Sequence, residues 1–136
     1  MNESRFQYEC VTWFSQQMVD QHGQLFAVTN EAKNNKDAMY QKSMGVYPGV
    51  SDLIYIRSSG SLVGIELKIA GSRHDSSHIR RQCNWLMTVK KLGNEGYFCT
   101  SLHDFISVIK GIKGHNAYTP EEVLELIGEK KSFVFL

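Results

Sequence analysis

GVYPGVSDLIYIRSSGSLVGIELK, residues 45–68, reads as a β-hairpin that carries ionisable side chains at one end. Asp52 opens the apolar run Leu53, Ile54, Tyr55, Ile56; Arg57-Ser58-Ser59-Gly60 makes the turn; Leu62, Val63, Gly64 and Ile65 lead back to Glu66-Leu67-Lys68. Side chains alternate between the faces of a strand, so Glu66 and Lys68 emerge together and Leu67 points the other way. Pro48-Gly49 sets a turn just ahead of Asp52. The pattern predicts that two carboxylates and an ammonium converge where the hairpin opens.

The flanking sequence predicts helices and short strands around this hairpin. Phe6, Cys10, Trp13, Phe14 and Met18 trace one face of a helix over residues 2–21. By periodicity alone, Glu3 on that helix is a start-of-helix carboxylate favoured by the macrodipole. His22-Gly23 stops the helix, Leu25-Phe26-Ala27-Val28 reads as a buried strand, and residues 29–35 as a polar, substrate-facing loop. A short helix over 36–44 precedes the hairpin. Behind it, residues 69–74 read as a polar link, followed by a helix over 76–92 capped by Asp75 or Ser76 and stopped at Gly93. Ile79, Cys83 and Leu86 face inward on this helix, and Gln82 sits at the edge of that face, towards the hairpin or towards water.

Residues 96–100 form a strand, Ser101-Leu102-His103-Asp104 opens a helix to about residue 113, and Thr119-Pro120-Glu121-Glu122 opens another. The apolar tail, residues 131–136, is strand-like and is expected to pair within the domain or across a subunit interface. The order is α-β-(α)-β-β-α-β-α plus a C-terminal helix and a short strand: an α/β fold whose mixed, hairpin-built sheet is flanked by helices.

With 136 residues, 42% of them hydrophobic, the chain suits one compact domain. Its formal net charge of +1 excludes neither nucleic acid nor a small substrate. Cys10, Cys83 and Cys99 are odd in number and set among apolar neighbours, which predicts reduced core thiols and a cytoplasmic protein. No stretch approaches a membrane span, and the polar start lacks the apolar core of a signal peptide.

Asp52 and Glu66 are hard oxygen ligands of the kind Mg²⁺ or Mn²⁺ prefers, and such a cation, with Lys68 to orient a bound water or stabilise charge beside it, suits phosphodiester hydrolysis. An isolated E-x-K tripeptide, by contrast, is most often a surface salt bridge. What separates the two is context. The segment G-V-Y-P-G-V-S-D, a hairpin, E-L-K and then a glutamine-bearing helix resemble the VRR-NUC family of the PD-(D/E)XK nuclease superfamily. The likeness spans roughly residues 3–112 and takes in the opening E-S-R-F-Q-Y-E-C-V-T-W-F, the strand and loop at 25–30 and the strand at 93–101.

The resemblance implies a restriction-endonuclease-like fold, with residues 1–113 as the nuclease domain and 114–136 as a helix and tail that belong to it or to a dimer interface. Asp52, Glu66 and the main-chain carbonyl of Leu67 would bind Mg²⁺, with Mn²⁺ as a substitute. Lys68, Gln82 and Glu3 would complete the catalytic set, Glu9 being the alternative to Glu3. Asn30 matches a loop asparagine that faces substrate. Ser51 stands where the family usually has a proline that shapes the backbone. The implied activity is a structure-specific DNA endonuclease, a homodimer acting on branched DNA such as four-way (Holliday) junctions, in host cytoplasm if phage-encoded. The alternatives are a restriction-like or nicking nuclease on linear duplex, and a catalytically silent DNA-binding module.

Arg73, His74, Arg80 and Arg81, with Lys33, Lys36 and Lys42, flank this constellation in sequence and supply cations for a DNA backbone, though each alone reads as a solvated surface residue. His74 and His78 have a zinc-compatible spacing but no third ligand, so phosphate or solvent contacts are favoured. Tyr47 and Tyr55 read as packing residues before they read as base-stacking ones.

Overall fold

The structure, a computed structural model, describes residues 1–29 and 34–136. Asn30 and Lys33, expected to face substrate, lie outside the described residues. The chain is mixed α/β. Its main sheet has the order β1 (Leu25–Ala27), β2 (Leu53–Ile56), β3 (Leu62–Leu67), β5 (Glu95–Cys99). The first two pairings are antiparallel and β3–β5 is parallel. The parallel pair requires a crossover, which α3 (Ser76–Lys91) provides.

The predicted hairpin forms in the alternating register, with Leu53 opposite Ile65 and Tyr55 opposite Val63. That alternation sorts the core onto two faces. Leu53, Tyr55, Val63, Ile65, Leu67 and Cys99 pack against α1 (Glu3–Gln17) and α4 (Leu102–Lys110) through Phe6, Cys10, Phe14 and Phe105. On the other face Phe98 packs with Ile79, Cys83 and Leu86 of α3 and with Val123 and Ile127 of α5 (Pro120–Ile127). The three cysteines are buried free thiols, and burial pushes Cys10 and Cys83 up to about 12.

The structure redraws several predicted boundaries. α1 stops at Gln17 and a 3-10 turn, Val19–Gln21, follows it. α4 ends at Lys110, with Gly111 in the left-handed region as its cap. The segment read as a polar link contains β4 (Arg73–Asp75), paired antiparallel with β6 (Ser132–Val134). The apolar tail therefore pairs within the chain, and Phe135 is fully buried. α2 (Asn35–Ser43) forms as expected but buries no residue. Among the described residues, no helix is long and apolar enough to cross a membrane.

Candidate active site

Asp52, Glu66 and Lys68 meet at the open end of the β2–β3 hairpin, because Asp52 immediately precedes β2 while Glu66 lies near the end of β3 and Lys68 directly follows it, two residues on. They line one cavity of about 310 Å³ together with Glu3, Pro48, Gly49, Val50, His78, Arg81 and Gln82. Glu3 arrives from the first turn of α1, where Asn2 caps the helix through the N–H of Arg5. Gln82 arrives from α3. Glu9, the alternative to Glu3, does not line the cavity; it pairs instead with Arg5 at 3.6 Å on the outside of the helix.

Each polar group is held differently. The Asp52 Oδ2 accepts the main-chain N–H of Leu67 at 2.8 Å, which ties the two strands together beside the site. Glu66 is 1% exposed and Lys68 2% exposed. The Glu66 Oε1 accepts from Gln82 Nε2 at 2.8 Å, while Oε2 is buried without a hydrogen-bond partner. Burial, then the neighbouring Asp52, push the Glu66 carboxyl well above the ordinary carboxylate range, and Lys68 offsets only part of this. Burial also raises Glu3, again with Lys68 opposing. A buried carboxylate with an orphaned oxygen beside a second carboxylate is short of positive charge.

That deficit is the observation against which a hard divalent cation is judged, and the residues fit it. Asp52 and Glu66 supply carboxylate oxygens, and Leu67 brings its main chain to the same strand end while its side chain enters the α1 core. Among the described residues, no group of three or more His, Cys, Asp or Glu side chains is arranged to hold a metal ion. Mg²⁺ sites commonly use one or two carboxylates and leave the remaining positions to water and substrate, so two are enough.

The turn before Asp52 is built against α3. Gly49 has φ +90°, and a Cβ there would come within 2.9 Å of the Arg81 carbonyl oxygen, so glycine serves both the left-handed backbone and the close approach. Ser51 is fully buried, and its Oγ donates to the carbonyl of Leu53 at 2.8 Å. This bond fixes the approach to Asp52 where a proline would do so through its ring.

The predicted cationic residues separate into two groups. Arg81 lines the cavity, and so does His78, whose pKa is lowered by burial and then by Lys68 and Arg81. Arg73 donates to Ser132 Oγ at 2.8 Å and Arg80 to the Gly128 carbonyl at 2.5 Å, so both fasten the C-terminal segment. His74 packs edge-on against Phe135 with its centroid 5.9 Å away. Burial, then Lys68, lower its pKa. Tyr55 is buried against Phe14, whereas Tyr47 is exposed. The place of His78 was open to sequence reasoning, since stepping back one helical turn from Gln82 reaches it.

No protein-family model, curated protein or solved structure matches the chain.

Proposed function

We propose that this chain is a Mg²⁺-dependent DNA endonuclease, with Mn²⁺ as a substitute, of restriction-endonuclease-like fold and akin to the VRR-NUC family. The observation that carries the reading is the convergence of Glu3, Asp52, Glu66, Lys68 and Gln82, from two helices and a hairpin, on one cavity. A surface salt bridge would leave the Glu-x-Lys pair in solvent. Here both are buried.

Asp52, Glu66 and the Leu67 carbonyl would hold the cation. When bound, it supplies charge neutralisation at the scissile phosphate and lowers the pKa of an attacking water. Gln82 engages one oxygen of Glu66 and leaves the other for coordination. The buried Lys68 ammonium, which lines the same cavity as both glutamates, orients the water and balances charge growing on the phosphate oxygens. Glu3 approaches from the opposite helix as a half-buried carboxyl suited to proton handling. Arg81 and His78 line the same cavity and position the phosphate backbone. A two-fold homodimer would present two such sites, matching the two cuts that resolve branched DNA such as a four-way junction.

The test is cleavage of junction, flap, single-stranded and linear duplex DNA with Mg²⁺ or Mn²⁺. Cutting favoured on branched substrates is expected, and Asp52→Ala and Lys68→Ala should each abolish it while the fold persists. Discrete cuts on linear duplex alone would instead make the chain a restriction-like nuclease. Binding without cleavage by either metal would make it a silent DNA-binding module.

A further inference from the structure

A second cleft shares Asp52 with the candidate site and has no residue of α3 in its lining. It has a volume of about 580 Å³ and is lined by an exposed stripe of α1, by β1 and the two residues after it, and by Asp52. Ser4, Gln7, Tyr8 and Val11 form that stripe at the spacing of one helical face. The adjoining stripe of α1, Phe6, Cys10 and Phe14, is buried in the core. Burial therefore accounts for one face of α1 and leaves the other unexplained. Tyr8 is 61% exposed and Phe26, on β1, is 45% exposed. The Arg5 guanidinium lies 5.2 Å from the centroid of the Tyr8 ring, so a cation stands beside the aromatic surface.

We infer that this cleft seats unpaired nucleotides of the DNA strand whose phosphate lies at Asp52, with Tyr8 and Phe26 as stacking surfaces and Arg5 as a backbone contact. The inference rests on the nuclease reading and narrows its substrate to branched DNA that carries an unpaired segment. Asp52 belongs to both clefts, so a strand with a phosphate there borders the His78–Arg81 cavity and this cleft alike. The two differ in chemistry: Lys68 and Arg81 line the first beside its three carboxylates, and exposed rings line the second. Rings gain from a nucleic acid only where base faces are free, because a duplex keeps its faces stacked inside. An arginine held over an aromatic ring adds charge without filling the cleft. A substrate that is double-stranded towards α3 and unpaired towards β1 suits both surfaces.

Binding of a short fluorescein-labelled oligothymidine to the full chain, followed by anisotropy in Ca²⁺, tests the inference. Tyr8→Ala and Phe26→Ala should each weaken binding by roughly fivefold or more, the range expected for losing one base–aromatic stack. Tyr8→Phe and Phe26→Trp keep a ring and should keep the affinity, which separates stacking from loss of fold. Absence of oligothymidine binding by the unaltered chain, or equal binding by the alanine variants, overturns the inference. So does a shift of the alanine variants from dimer to monomer in sedimentation with oligothymidine affinity unchanged, since the rings would then belong to a subunit interface. Failure of the nuclease reading looks different: no DNA is cut in Mg²⁺ or Mn²⁺, whatever the anisotropy shows.

Discussion

The Gln82 side-chain amide donates to the Glu66 carboxylate at 2.8 Å in a buried setting, joining α3 to the last turn of the hairpin strand at the proposed metal-binding carboxylate. This hydrogen bond holds one oxygen of Glu66 in place. Gln82→Ala should lower the cleavage rate about 10–100-fold, as loss of an outer-shell partner does at other metal sites. It should also raise the Mg²⁺ concentration needed for half-maximal rate. A rate-against-Mg²⁺ titration reads both; an unchanged midpoint would show that Gln82 does not orient a ligand.

Metal-free stability should depend on Glu66. Burial, then Asp52, raise its carboxyl well above the 4.5 of an unperturbed glutamate. The folded chain therefore binds this proton more tightly than the unfolded chain does, so stability falls as pH rises from about 4.5 towards the folded value and is flat beyond it. In EDTA, Glu66→Gln should melt higher than the unaltered chain at alkaline pH and converge with it in acid. Added Mg²⁺ should raise the melting temperature of the unaltered chain alone. Parallel melting curves across pH for the two proteins would count against a strained carboxylate.

Much of this site was legible because strand parity is rigid: once residues 53–56 and 62–65 alternate, Glu66 and Lys68 must share a face. What stayed hidden depended on partners distant in the chain. β4 is three polar residues, Arg73-His74-Asp75, with no apolar alternation, and it is a strand because Ser132–Val134 pairs with it. Arg80 and Arg81 are adjacent in sequence but about 100° apart around a helix. One reaches Gly128, which caps the C-terminus of α5, and the other reaches the cavity. His74 and His78 divide in the same way, one against Phe135 and one in the cavity.

The tail should matter to the site although it makes no contact with substrate in the proposed mechanism. Phe135 stacks on Phe98 at 5.4 Å and meets His74, Tyr118 and Phe133 edge-on. β6 also holds β4, whose last residue, Asp75, caps α3 through the N–H of Ser77. Phe135→Ala should cost about 3–5 kcal/mol by leaving a cavity in this cluster. Urea denaturation monitored by circular dichroism measures it, and a loss below about 1 kcal/mol would mean that the cluster does not anchor α3.

Gly64 sets how closely α3 approaches the sheet. A Cβ at Gly64 would lie 2.8 Å from Trp85 Cζ3 and 2.9 Å from Leu86 Cδ2. Gly64→Ala should destabilise by about 1–3 kcal/mol, the usual cost of overpacking. Because α3 carries Gln82, His78 and Arg81, cleavage at saturating Mg²⁺ should fall as well, measured where the variant is still fully folded. A stable, fully active Gly64→Ala protein would show that Trp85 and Leu86 move aside freely.

Arg57 and Glu95 should contribute to acid stability. The Arg57 guanidinium donates twice to Glu95, at 2.6 and 3.0 Å, and to the carbonyls of Val108 and Ile109 at 2.9 and 3.1 Å. It thereby joins the hairpin turn to β5 and satisfies the last turn of α4. Arg57→Ala should cost about 1–3 kcal/mol, towards the lower end because the pair is part-exposed. The hydrogen bonds from Arg57 hold the Glu95 carboxyl below 4.5, so its contribution is full above that pH and is lost as pH falls through the lowered value. The unaltered chain should therefore lose more stability on acidification below pH 4.5 than Arg57→Ala does. Urea midpoints taken down the acid limb measure the difference, and equal slopes for the two proteins would remove Glu95 from the acid transition.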